Sequence, residues 1–164
     1  RASQARDTKQ KIPGVATALV IYLLSTVRLR RFLQTLAHRR AGRLVITDRY
    51  PQVEVPGFYD GPGLSAAKAG SSFVAWLSRR ERAKYEWMAA HLPTLVIRIN
   101  IDIETALARK PDHARDLLEK KIAVTPVLTF AGAPIIELDG REPFATVKEK
   151  ATAAIDAALA SGGA

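Results

Sequence analysis

Asp48 and Arg49 close an apolar run, Arg43-Leu44-Val45-Ile46-Thr47, and are followed by Tyr50 and Pro51. A carboxylate in such a place can hold a magnesium-bound water or a substrate hydroxyl. The guanidinium beside it can grip a phosphate through two parallel N–H donors. On spacing alone the pair also reads as a surface turn with a local ion pair, and both readings stay open. Arg28 closes an apolar stretch further upstream and can reach the same anion, or it can be one of the solvated cations Arg30, Arg31, Arg39 and Arg40. A third cluster lies in "ARKPDHARDLLEKK", Ala108 to Lys121, where Arg109, Lys110, His113, Arg115, Lys120 and Lys121 crowd one segment. Phosphoryl transfer is mostly positioning and charge neutralisation, for which movable cations are suited. The interleaved Asp112, Asp116 and Glu119 equally suit an ordinary solvated helix. His38, His91 and His113 stand apart with no metal-ligand spacing, so no metal site is expected from protein ligands.

The elements that must position these residues follow from the hydrophobic pattern. Pro13-Gly14 ends a polar lead-in, and a long helix is predicted over about Val15 to Arg40. Its first half is apolar nearly all round and is expected to be buried. Its second half is amphipathic, with Leu29, Phe32, Leu33 and Leu36 on one face. Ala41-Gly42 is its stop signal. "RLVITD" reads as a buried strand, and Pro51 to Gly63 as an irregular loop. A second helix is expected from about Arg79 to His91, with Ser78 and Glu81 as a capping box. "TLVIRIN" (Thr94 to Asn100) and "APIIELD" (Ala133 to Asp139) are further strands. "ETALARK" and "DHARDLLEKKIAVT" are helical, and Thr146 to Leu159 is a closing helix. Continuous apolar strands alternating with helices imply an α/β fold: a three-layer αβα domain around a parallel sheet, one domain over residues 1–164. Ligands of such sheets bind beyond the carboxyl ends of the strands.

The chain has 164 residues, a formal charge of +9 and no cysteine. The charge suits phosphate-bearing partners, or is simply a solvated basic surface. The lack of cysteine removes disulfides and favours a reducing compartment. Arg1 to Lys11 carries no signal-peptide pattern. "VATALVIYLLSTV" followed by "RLRR" has the look of a membrane anchor, but its apolar run is shorter than the roughly 20 residues a span requires.

Together these segments resemble the thymidylate kinase-like branch of P-loop nucleotide kinases, over about Ala18 to Leu159. "YLLSTVR" is similar to that family's helix ending in a phosphate-gripping arginine, here Arg28. "LVITDRY" resembles its strand with a D-R-Y ending, which puts Asp48 on the acceptor and metal side and Arg49 and Tyr50 on the substrate. "RINIDIETALAR" fits its strand-to-lid register, so the resemblance implies Arg109 and Lys110 as lid cations with Arg115 beside them. "IIELDG" with "FATVKEKATAAI" resembles its last strand, adenine-side loop and closing helix, which implies nucleotide contacts at Asp139 and Gly140. "DRYP", "DGPGL" and "ARKPDH" look like an uncharacterised bacterial subgroup.

The resemblance implies ATP and Mg2+ as cofactors, a nucleotide or nucleotide-like partner, a homodimer as one arrangement, and a cytoplasmic protein without nucleic-acid or membrane partners. Two departures stand out. No G-x-x-x-x-G-K-[ST] loop occurs in the 164 residues. The expectation is therefore an N-terminally truncated kinase that lacks the first strand, phosphate loop and first helix and is inactive alone. The family's base-stacking aromatic is replaced by Leu24, and "PQVEVPGFYDGPGL" replaces its segment after D-R-Y. The acceptor stays open among nucleotides and phosphorylatable sugar or lipid precursors. The rival reading is a non-catalytic basic protein that binds RNA or another polyanion. The low aromatic content, 7%, without interleaving with the basic clusters, speaks against it.

Overall fold

A single helix, α1, spans Val15–Arg40, as its hydrophobic pattern predicts. Gly42, at φ 73°, ends it in the left-handed conformation, and the Arg43 amide returns to the His38 carbonyl at 3.1 Å. In the computed structural model, residues 13–162 are described. The polar lead-in, residues 1–12, on which the signal-peptide reading fell, and the last two residues lie outside them. The described residues form two compact units, residues 13–91 and 92–162.

In the first unit α1 packs against α2, Ser72–Ala89. The buried stripe of α1 is Ala18, Ser25, Phe32 and Leu36. One cluster joins Ala18, Leu64, Val74 and Leu77; another joins Phe32, Leu36, Tyr85 and Met88. The expectation that the first half of α1 is wholly buried is corrected. Val20, Leu23, Leu24 and Val27 are exposed, because α2 covers only one stripe of the helix. Among the described residues no helix is long and apolar enough to cross a membrane.

α2 begins before the expected Arg79. Its cap is Ser71, whose hydroxyl accepts from the Val74 amide at 3.2 Å. Ser78 lies within the helix and forms no capping box with Glu81. The run Arg43 to Asp48 is also corrected: it forms no strand, and Leu44 and Ile46 are exposed. A buried strand needs a ladder partner for its amides and carbonyls, and none lies beside it among the described residues.

The second unit holds the sheet. β1, Val96–Asn100, pairs in parallel with β2, Ile135–Asp139. Their register sets Asn100 beside Asp139 at the carboxyl ends, as expected for a parallel pair. Arg98, nearly buried, binds its register partner Glu137 at 2.9 Å and donates to the Leu128 carbonyl. α3, Ile103–Arg109, and α4, Arg115–Val124, pack together, and α5, Phe144–Gly162, packs on β2. The described residues are thus mixed α/β and mostly helical, with a sheet of two parallel strands.

Candidate functional site

The loop between α1 and α2 is built around two buried polar side chains. The Gln52 amide donates to the Val55 and Phe58 carbonyls at 2.8 and 2.6 Å and accepts from the Val55 amide at 2.8 Å. It thereby replaces backbone pairing that a loop lacks. Further on, the Glu81 carboxylate, 1% exposed, accepts from the amides of Gly63 at 3.1 Å and Leu64 at 2.8 Å. Burial raises the Glu81 pKa, and those two amide bonds oppose the rise. Glu81 is therefore a tertiary tie, not the helix cap its spacing suggested.

Between these ties Tyr59 and Asp60 both take positive φ, 39° and 62°. That conformation costs an L-residue about 1–2 kcal/mol, and aspartate tolerates it better than most. The turn carries the Asp60 carboxylate to Arg28, whose Nη2 lies 3.0 Å from Asp60 Oδ1. Arg49 Nη1 lies 4.0 Å from the same oxygen. Each guanidinium also has a partner of its own. Arg28 Nη1 donates to the Tyr85 hydroxyl at 2.6 Å, and Arg49 Nε lies 3.7 Å from Asp48 Oδ2. Burial raises the Tyr85 pKa, and the Arg28 cation pulls it back. Arg28 and the adjacent pair Asp48-Arg49, 20 residues apart in sequence, thus converge, and Asp60, missed by sequence reasoning, joins them. The only sequence signal for Asp60 is a carboxylate within a Gly/Pro-rich turn, which says nothing of its distant partners.

Tyr50 is turned toward the packing of α1 and the end of α2. Its ring meets Phe32 edge-on at a centroid distance of 5.7 Å, and its hydroxyl donates to the His91 carbonyl. Burial raises its pKa. Tyr50 ties the loop to the core.

The second unit holds the remaining expected residues. Arg109 and Lys110 are exposed, and among the described residues their side chains make no hydrogen bond or ion pair. Arg115 instead meets Glu119 at 3.3 Å and Glu104 at 3.9 Å. Asp139 is held by Arg141 through both carboxylate oxygens, at 2.9 and 2.7 Å. These bonds lower its pKa to about 2. The Gly140 amide donates to the Asn100 carbonyl at 2.6 Å. A Cβ there would meet that oxygen at 2.8 Å, so this glycine permits the close approach of β1 to the turn after β2.

Among the described residues no three His, Cys, Asp or Glu side chains gather to hold a metal. The exposed Asp48 offers one carboxylate, which fits a magnesium ion held mainly by waters and phosphate rather than a protein cage. The uncommitted cations Arg109 and Lys110 fit a polyphosphate, as point charge and fork respectively for lysine and arginine.

Aromatic and basic side chains do interleave on α2, contrary to the expectation. Phe73 stacks on Trp76 at 6.0 Å, and Arg80 lies 5.3 Å over the Trp76 ring. Beyond them a shallow groove is lined by Tyr22, Leu29, Arg80, Ala83, Lys84 and Trp87. Lys84 in it is fully engaged: it donates to Ser25 and Thr26 and lies 3.4 Å from the Tyr22 ring centre.

Fold and site define a mixed α/β protein in which two arginines meet at one carboxylate. Comparison with known sequences narrows this. The chain is 51% identical over 160 residues to the "uncharacterized ATP-binding protein YghS" of Escherichia coli K12, covering 97% of the chain and 68% of YghS. It is 38% identical over 156 residues to the "uncharacterized ATP-binding protein YghR" of the same strain, covering 94% of the chain and 62% of YghR. The chain belongs to the YghS family of proteins, and it spans about two thirds of the length of these relatives. No family model and no solved structure matches it.

Proposed function

We propose that this chain is the acceptor-binding and lid portion of an ATP-dependent phosphotransferase of the thymidylate kinase-like type. The observation that carries this reading is the meeting of Arg28 and Arg49 at one carboxylate, each held by a second partner of its own. Two oriented guanidiniums are a receptor for the oxygens of a phosphate. Arg28 and Arg49 bind the acceptor phosphate. Asp48 orients the acceptor hydroxyl or a magnesium-bound water, and Arg109 and Lys110 neutralise charge on transferring phosphate. ATP supplies the phosphoryl group. The names of YghS and YghR as ATP-binding proteins support a nucleotide ligand. The acceptor is a nucleoside monophosphate or a chemically similar phosphate ester.

The test is ADP formation by the full-length protein with ATP, magnesium and a panel of nucleoside monophosphates. Turnover with at least one acceptor is expected, and Arg49→Ala should lower kcat/KM by on the order of a hundredfold, since two charge-assisted bonds are at stake. Wild-type turnover in Arg49→Ala removes Arg49 from the site. The 164-residue chain by itself should turn over no ATP, because it contains no G-x-x-x-x-G-K-[ST] loop.

A second reading has its own observation. The Phe73, Trp76, Arg80 and Trp87 series on α2 is suited to stacking the bases of a single-stranded RNA. RNA binding that falls steeply with salt and is lost in Trp76→Ala, without nucleotide binding, would favour it over the kinase.

A further inference from the structure

We propose that Asp60 is a resident occupant of the anion site, and that it restricts the site to ligands charged enough to displace it. This rests on the reading of Arg28 and Arg49 as phosphate-binding residues. Three observations carry it. Asp60 is the shared partner: both guanidiniums approach its Oδ1, at 3.0 and 4.0 Å. It is also the dispensable partner, because Tyr85 holds Arg28 at 2.6 Å and Asp48 lies 3.7 Å from Arg49 without it. Finally, the carboxylate is delivered by a turn in which Tyr59 and Asp60 are both left-handed, between the ties made by Gln52 and Glu81. The ion pair holds a costly backbone in place, and release of Asp60 would relieve that cost.

A carboxylate left among the arginines repels an incoming anion at this range. A phosphate monoester carries nearly two negative charges near neutral pH and offers three terminal oxygens, so it can take both guanidiniums. A diester carries a single charge and competes poorly. Asp60 therefore selects a terminal phosphate over an internal one.

The test uses the full-length protein with methyl phosphate, a monoester, and dimethyl phosphate, a diester, titrated by NMR at about pH 8, where the monoester is fully dianionic. Wild type should bind methyl phosphate and reject dimethyl phosphate. Asp60→Asn keeps a residue at home in the left-handed region; it should bind methyl phosphate about tenfold more tightly and begin to bind the diester. Asp60→Gly repeats the measurement should the asparagine chain fail to fold. Unchanged or weaker binding of methyl phosphate by the Asp60 variant overturns the proposal and makes Asp60 a support for the arginines. Arg49→Ala separates the two levels. If it leaves methyl phosphate binding intact, the phosphate-site reading itself falls. If it weakens binding while the Asp60 variant gains nothing, only the role of Asp60 falls.

Discussion

The guanidinium of Arg28 on α1 donates to the phenol of Tyr85 on α2, joining a half-exposed cation to a buried ring. The ring belongs to the core cluster with Phe32, Leu36 and Met88. The direction in which Arg28 points is therefore set by the packing of two helices. Tyr85→Phe keeps the ring and removes only the acceptor. A hydrogen bond to a charged group is worth about 1.5–3 kcal/mol, part of which water restores at this half-exposed arginine. Thermal unfolding should shift little, while phosphate affinity should fall several-fold. Equal affinity in the two proteins would mean that Tyr85 does not orient Arg28.

Glu81 ties the loop that carries Asp60. Glu81→Ala leaves the amides of Gly63 and Leu64 without their acceptor, at a cost of about 1–3 kcal/mol each if both stay dry. Chemical denaturation should show a loss of about 2–4 kcal/mol. The pH dependence has a definite sign. Burial raises the folded-state pKa above the ordinary 4.5, so in that window the native state keeps a proton that the unfolded chain has lost. The contribution of Glu81 therefore falls as pH rises through the window and is flat above it. Comparison of wild type with Glu81→Gln across that range measures it.

Asp139 has the opposite sign. Arg141 holds its pKa at about 2, against an ordinary 3.8. The stabilisation is complete above the ordinary value and is lost as pH falls through about 2. Carboxyl NMR should find the Asp139 midpoint low in wild type and back in the usual range in Arg141→Ala. An unshifted midpoint in wild type would show that the pair is absent in solution.

Gly140 lies against β1 and has no room for a methyl group, with the Asn100 oxygen 2.8 Å and the Ile99 Cγ2 2.9 Å from a built Cβ. Gly140→Ala should destabilise the protein by about 1–3 kcal/mol through overpacking. If stability is unchanged, the turn after β2 has slack and Gly140 is free to be a ligand contact instead.

How far the sequence could be read depended on how local each determinant was. The ends of α1 were legible, since an unbroken helical pattern runs into Gly42. The strands β1 and β2 were legible as β-branched runs, and their parallel pairing follows from the helices between them. The start of α2 was missed because Ser71 and Ser78 are both plausible caps, and Glu81 matched the box rule while serving residues in another segment. "RLVITD" has strand composition, yet composition cannot show whether a neighbouring strand is there. Arg28 and Arg49 were singled out because arginine beside a carboxylate or on a helix already suggests anions. Asp60 was not, because its partners come from elements far along the chain and only the fold of the loop brings them together.

Trp76 and Trp87 are the two tryptophans of the chain, and both lie on α2. The protein's intrinsic emission above the tyrosine band is thus the signal of one helix in residues 13–91. Emission and far-ultraviolet dichroism, which also registers α3, α4 and α5, are two separate gauges of melting. If residues 13–91 and 92–162 unfold as independent bodies, the two curves will part.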